Sequence, residues 1–187
     1  MATDADSLFE TLLAEQRERS LPPVEQWQPE RVGSIDILIA RDGTWYHQGD
    51  PIRREAMVRL FSTILRREGA RYFLVTPVEK LEIRVEDVPL QAIRLERDGS
   101  GEEQRLLLTT NTGEHVLVDA DHALRVEDAD AEPRPYVHVR AGLEARLTRP
   151  VFYELAELAE PSPTAPGMLG VWSAGTFFEL GADRAPA

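Results

Sequence analysis

The chain has 187 residues, 42% of them hydrophobic and 29% charged, enough apolar material for a core in one large domain or two small ones. Its net charge of −12 lacks the positive footprint that counterion release from phosphates requires, so neither nucleic acid nor a polybasic membrane anchor is expected. There is no cysteine, which excludes disulfides, thiol catalysis and every cysteine-based zinc or iron–sulfur site.

The opening MATDADSLFE lacks the basic and apolar regions of a signal peptide, and no apolar run approaches the roughly 20 residues of a membrane span. The expected location is the cytoplasm. Residues 7–18 read as a short helix: Ser7 and Glu10 fit a capping box, and Leu8, Phe9, Leu12 and Leu13 form an apolar stripe. RSLPPVEQWQPE follows as an extended linker, because Pro22, Pro23 and Pro29 deny it a helix. SIDILIA alternates Ile35, Ile37 and Ile39 onto one strand face. RDG (41–43) turns the chain, and TWYHQ completes a hairpin with Trp45 and His47 on one face and Tyr46 on the other.

Residues 51–68 carry the clearest helical pattern. Asp50 is placed to cap it, Pro51 suits the first turn and Gly69 suits the stop. Its apolar stripe is Ile52, Ala56, Met57, Leu60, Phe61, Ile64 and Leu65, and Arg66 and Arg67 would face the negative end of the helix dipole. From 71 to 140 the chain reads as short strands with a turn about every ten residues: RYFLVTP, EKLEIRVED, PLQAIRLER, QRLLLTTN, HVLVDA, HALRVED and YVHVR. A second amphipathic helix is expected over 150–159, with Pro150 in its first turn. EPSPTAPG is a linker, and MLGVWSAGTFFELG is apolar enough to fold back on the body. No internal repeat is visible.

The fold class expected is α+β. It combines a mainly antiparallel sheet or barrel-like core with a central amphipathic helix over about 51–68 and short helices at both ends. Residues 1–80 would form a helix–hairpin–helix unit, and 81–187 a β-rich unit with the returning tail. The stretches DGTWYHQGDPI, YFLVTPVEKLEIRVEDVPL, PYVHVR and GVWSAGTFFELG together resemble a bacterial family catalogued as a domain of unknown function, DUF1285. The similarity runs from about residue 20 to about 180. It implies a cytoplasmic bacterial protein with a sheet-rich α+β structure, and it brings no catalytic residues with it.

Three constellations are candidates for chemistry. Lys80 is the only lysine beside twenty arginines, and it falls inside one of the family-like stretches. On a strand it faces away from Glu79 and lies near Glu82, so it either grips an anionic ligand or forms a surface ion pair. In PYVHVR, Tyr136, His138 and Arg140 share one face, a row able to grip a carboxylate or phosphate or simply to face solvent. Trp45 and His47, between Gly43 and Gly49, suit the mouth of a pocket or a hairpin packed on the next helix. His115 and His122 flank VLVDAD with Asp119 and Asp121 between them, but the four histidines show no metal-binding spacing and no metal site is expected. Phosphate-loop, dinucleotide and nucleophile-elbow motifs are absent.

These residues point to a non-enzymatic module that binds a small anionic ligand or an acidic protein segment through Trp45, His47, Lys80, Tyr136, His138 and Arg140. Two alternatives stay open. One is an enzyme of unassigned class that uses His47 or His138 for proton transfer. The other is a homodimer assembled through strand edges and the apolar tail. The sequence names no cofactor.

Overall fold

The hairpin expected from SIDILIA and TWYHQ forms, and a sheet is built around it. The computed structural model describes residues 4–18, 20–129 and 132–182. Helix α1 (Asp4–Glu18) is followed by β1 (Arg31–Ile39), β2 (Trp45–His47), β3 (Asp50–Pro51), helix α2 (Glu55–Thr63), β4 (Leu65–Glu68), β5 (Arg71–Val75) and β6 (Glu79–Val85). These six strands pair in the order β3-β2-β1-β6-β5-β4. The next six are β7 (Leu90–Asp98), β8 (Arg105–Thr110), β9 (His115–Leu117), β10 (Leu124–Ala129), β11 (Glu132–Arg140) and β12 (Leu143–Leu147), in the order β10-β11-β12-β7-β8-β9. Helix α3 (Arg149–Glu157) then leads to a small third sheet of β13 (Glu160–Pro161), β14 (Met168–Ser173) and β15 (Thr176–Ala182).

The two large sheets share one topology. Each consists of two antiparallel three-stranded meanders, joined where the first strand lies parallel to the sixth: β1 on β6, and β7 on β12. The molecule is α+β with mixed, mostly antiparallel sheets. Among the described residues no helix is long and apolar enough to cross a membrane.

The central helix is shorter than its pattern predicts. Asp50 and Pro51 are extended and pair with His47 and Tyr46 rather than starting a helix, as the steric restriction on a residue before proline favours. Arg54, not Asp50, precedes α2, and no side chain caps it. The helix ends at Thr63, where Ser62 and Thr63 hydroxyls donate to the carbonyls of Arg59 and Leu60. Residues 65–68 then form β4, paired with β5 from Leu65↔Leu74 to Glu68↔Arg71. Sheet pairing satisfies this backbone and overrides helical propensity. Gly69 turns one strand into the next with φ of 60°. Only part of the expected stripe faces inward: Phe61 packs on the core, while Leu60 is 61% exposed.

Two further expectations shift. Helix α1 begins at Asp4, so Ser7 lies inside it rather than capping it; the side chain of Leu8 lies outside the described part. Helix α3 matches the second amphipathic pattern, but the third sheet follows it.

Each large sheet buries its own core. The first joins Ile37, Ile39, Trp45, Leu65, Leu74 and Ile83, with α2 over it. In the second, Leu90, Ala92, Leu106, Leu108, Val137 and Ala145 face Val151 and Leu155 of α3 and Val171, Phe178 and Leu180 of the third sheet. The tail therefore returns as a hairpin, turned at Ala174 and Gly175 with φ of 49° and 75°. Burying each of the Val, Leu, Ile and Phe side chains among them is worth roughly 1.5–3 kcal/mol. Leu143 belongs to the second sheet by sequence yet is buried in the first core, so it joins the two.

Candidate functional site

The six side chains singled out in the sequence go to separate places. Trp45 is 2% exposed in the first core, its ring 6.2 Å from that of Phe61, while His47 is exposed on the hairpin. Lys80 reaches across β5 to Glu68 rather than to Glu82, with Nζ 3.0 Å from one carboxylate oxygen and 4.9 Å from the centre of the Phe73 ring. Glu68 also accepts from Arg66, whose guanidinium donates to the carbonyls of Val24 and Trp27. The lysine thus completes a charged knot that ties the proline-rich linker to the first sheet. Glu82 is taken by Arg71 instead.

The PYVHVR row does not stay together either, because the register slips between His138 and Arg140. Arg140 Nε donates to Glu114, which is 1% exposed, and its second amino group donates to the carbonyl of Ser62 at the end of α2. It is a strut between the two units. His138 Nδ1 lies 2.9 Å from the carbonyl of Asp121, so that nitrogen carries the hydrogen, and Nε2 accepts from the N–H of Gly142 at 3.3 Å. Both ring nitrogens are engaged. The His122 ring lies 6.0 Å away, but among the described residues no three acidic or histidine side chains are grouped so as to hold a metal. Tyr136 donates to Asp87 at 3.0 Å, and Asp87 also accepts from Arg146 at 2.9 Å. Burial foremost, then the bond to Asp87, holds the Tyr136 phenol above its ordinary value.

Tyr136 leads to a cleft that the sequence did not announce. Tyr136, Arg146 and Gln91 lie opposite one another across β11, β12 and β7. Gln91 Nε2 donates to the carbonyl of Arg41, which brings the β1–β2 turn of the first unit against this face. Gly43 in that turn has φ of 86° and lies so close to Gln91 that a Cβ would meet its side chain at 2.7 Å. Between the turn, the start of β11 and the first turn of α3 lies a cleft of about 600 Å³. This is within the usual size range of small-molecule sites.

Arg41, Arg146 and Arg149 contribute to the charged part of its wall, with Asp42 and Glu132; Pro133, Pro135, Leu147, Phe152 and Tyr153 contribute to the apolar part. Arg149 holds the Glu132 carboxylate, with both oxygens 3.0 Å from one amino group. No ion-pair partner of Arg41 is found among the described residues. The N–H of Thr44 donates to Asp42 and keeps that carboxyl below its ordinary value, so it stays charged. One signal for the cleft was present in the sequence. Arg149 stands in the first turn of α3, where the helix dipole disfavours a cation.

Two sequence profiles of one family match this chain. The N-terminal domain of the domain of unknown function DUF1285 covers residues 22–88, and the C-terminal domain of the same family covers 89–180. The chain belongs to the DUF1285 family. A crystal structure of a DUF1285 family protein from Silicibacter pomeroyi DSS-3 is 48% identical, with a TM-score of 0.83 over 92% of this chain and 96% of the other. A second, from Shewanella baltica OS155, is 28% identical, with a TM-score of 0.52 over 65% of this chain and 90% of that one. No curated protein matches. The two DUF1285 profiles meet where one large sheet ends and the next begins. Arg41 and Asp42 enter the cleft from the first profile, and its remaining lining residues come from the second.

Proposed function

We propose that this DUF1285 protein is a cytoplasmic, non-enzymatic binding module whose ligand is a small anion held in the cleft between its two units. The observation that carries the reading is the gathering of Arg41, Arg146 and Arg149 around one cleft in a chain of net charge −12. Arginine forks suit carboxylate and phosphate geometry, and burial in a cleft strengthens such bonds. Arg146 is oriented from behind by Asp87, and Asp87 by Tyr136, so one of the six residues first singled out supports the site indirectly. The cytoplasmic part of the reading is supported by the acidic, cysteine-free composition.

The alternative of proton transfer by His138 is weakened by its ring: Nδ1 is bound to a carbonyl and Nε2 to an N–H. Thermal stabilisation across a panel of small carboxylates and phosphates tests the binding reading. The native protein is expected to gain stability with at least one anion, and the Arg41→Gln/Arg149→Gln double variant to lose that gain with its unliganded melting temperature unchanged. An equal gain in both proteins would place the anion elsewhere and end the assignment.

A further inference from the structure

The cleft already shows which functional group Arg149 accepts. Glu132 and Arg149 are 67% and 74% exposed, yet the carboxylate lies with both oxygens 3.0 Å from the guanidinium. An exposed pair of this kind contributes little to folding. It does occupy the cation that an incoming anion needs. Directly beside it stand Pro133, Pro135 and Phe152, with Tyr153, an aromatic side chain left 62% exposed. Three arginines face Asp42 and Glu132 on the lining, with Asp87 on Arg146 from behind, so the walls carry no surplus of positive charge for a dianion and suit an anion of single charge. A phosphate dianion would meet Asp42 and Glu132.

We infer that the ligand is a monocarboxylate with an aromatic or short aliphatic body, and that its carboxylate takes the place of Glu132 on Arg149 while its body packs on Phe152, Tyr153 and the two prolines. Glu132 is then the site's own competitor. It keeps Arg149 paired in the empty cleft and rejects anions that bring too little apolar contact to displace it. This inference rests on the binding reading above and adds the ligand class and the gate.

The test uses the full chain, 3-phenylpropionate as the probe, its neutral amide as control and inorganic phosphate as competitor, with calorimetric titration of the native protein and of Glu132→Gln and Arg149→Gln. Both positions are exposed, so both variants are expected to fold, and circular dichroism melts check this. Because an exposed ion pair is worth at most about a factor of five in an equilibrium, Glu132→Gln is expected to bind the probe about two- to fivefold more tightly. Arg149→Gln is expected to lose at least about tenfold, as removal of a charge-assisted bond does. The amide is expected not to bind, and phosphate not to compete at equal concentration.

If Arg149→Gln loses binding while Glu132→Gln is unchanged, the cleft stands and the gate is overturned. Phosphate displacing the probe, or the amide binding as well as the acid, overturns the ligand class. Binding untouched by Arg149→Gln, or absent from both the native protein and Glu132→Gln, overturns the inference as a whole.

Discussion

At Lys80 the only ammonium side chain of the molecule closes a knot whose other members are Glu68, Arg66 and the ring of Phe73. The bond from Lys80, ahead of the contribution of Arg66, holds the Glu68 carboxyl below its ordinary value of 4.5. A carboxyl depressed in the folded state stabilises the fold above its unfolded value, and that contribution is lost as the pH falls through the folded value. Lys80→Met keeps an apolar stem over Phe73 and removes the charge. It is expected to cost about 1 kcal/mol at pH 7 and nothing at pH 2, measured by urea unfolding. A cost independent of pH would show that packing, not the ion pair, is what Lys80 supplies.

Glu96 behaves in the opposite sense. Burial, before any other cause, raises its carboxyl, and Oε2 is buried without a hydrogen-bond partner among the described residues. A raised carboxyl binds its proton more tightly folded than unfolded, so stability falls as the pH rises through the unfolded and then the folded value. Glu96→Gln is expected to be more stable than the native chain at neutral pH, with the gain vanishing in acid. A gain that persisted at pH 3 would contradict this account of Glu96.

Among the elements, those with strict alternation were legible from the sequence. SIDILIA and EKLEIRVED became β1 and β6 because period-two patterning has few alternatives when one face must be buried. The pattern over 51–68 read as one clear helix and misled at both ends, since a short buried strand and one turn of buried helix look alike in sequence. Pairing with β5, which no local pattern encodes, decided in favour of β4. The tail was legible only as an apolar segment that folds back on the body. The structure gives Gly170 a sharper role: a Cβ there would collide with the carbonyl oxygen of Phe178 and meet the ring of Phe177 at 2.6 Å. Gly170→Ala is expected to destabilise by at least about 2 kcal/mol, because backbone atoms must move to admit the methyl. A melting temperature within a degree of the native value would mean that the hairpin yields freely.

For the molecule as a whole, the sequence suggested a helix–hairpin–helix unit over 1–80 and a β-rich unit over 81–187, but nothing in it showed what fastens the two sheets together. Arg140 reads as the end of a polar strand face. Only the fold brings Glu114 from the β8–β9 turn and the carbonyl of Ser62 from α2 to the same guanidinium. Arg140→Met leaves the buried Glu114 without its cation and is expected to cost about 3 kcal/mol in denaturant unfolding. Adding Glu114→Gln should recover part of that loss, and a double variant as unstable as the sum of the singles would argue against direct pairing. The cleft was hidden for a related reason. Arg41, Glu132, Arg146 and Arg149 are scattered over more than a hundred positions, and apart from the place of Arg149 at a helix start they look like ordinary surface charges until the two units are placed together.

The function proposed for this chain rests on a carboxylate held at the seam by Arg149. The most direct measurement is a titration of the side-chain Nε–Hε signals of the arginines, by nitrogen–proton correlation spectroscopy, with 3-phenylpropionate. Saturable shifts at Arg149 and Arg41, with exposed arginines outside the cleft such as Arg59 and Arg84 unmoved, are the expected result. Shifts that grow linearly and equally over all exposed arginines, or none at Arg149, would contradict it.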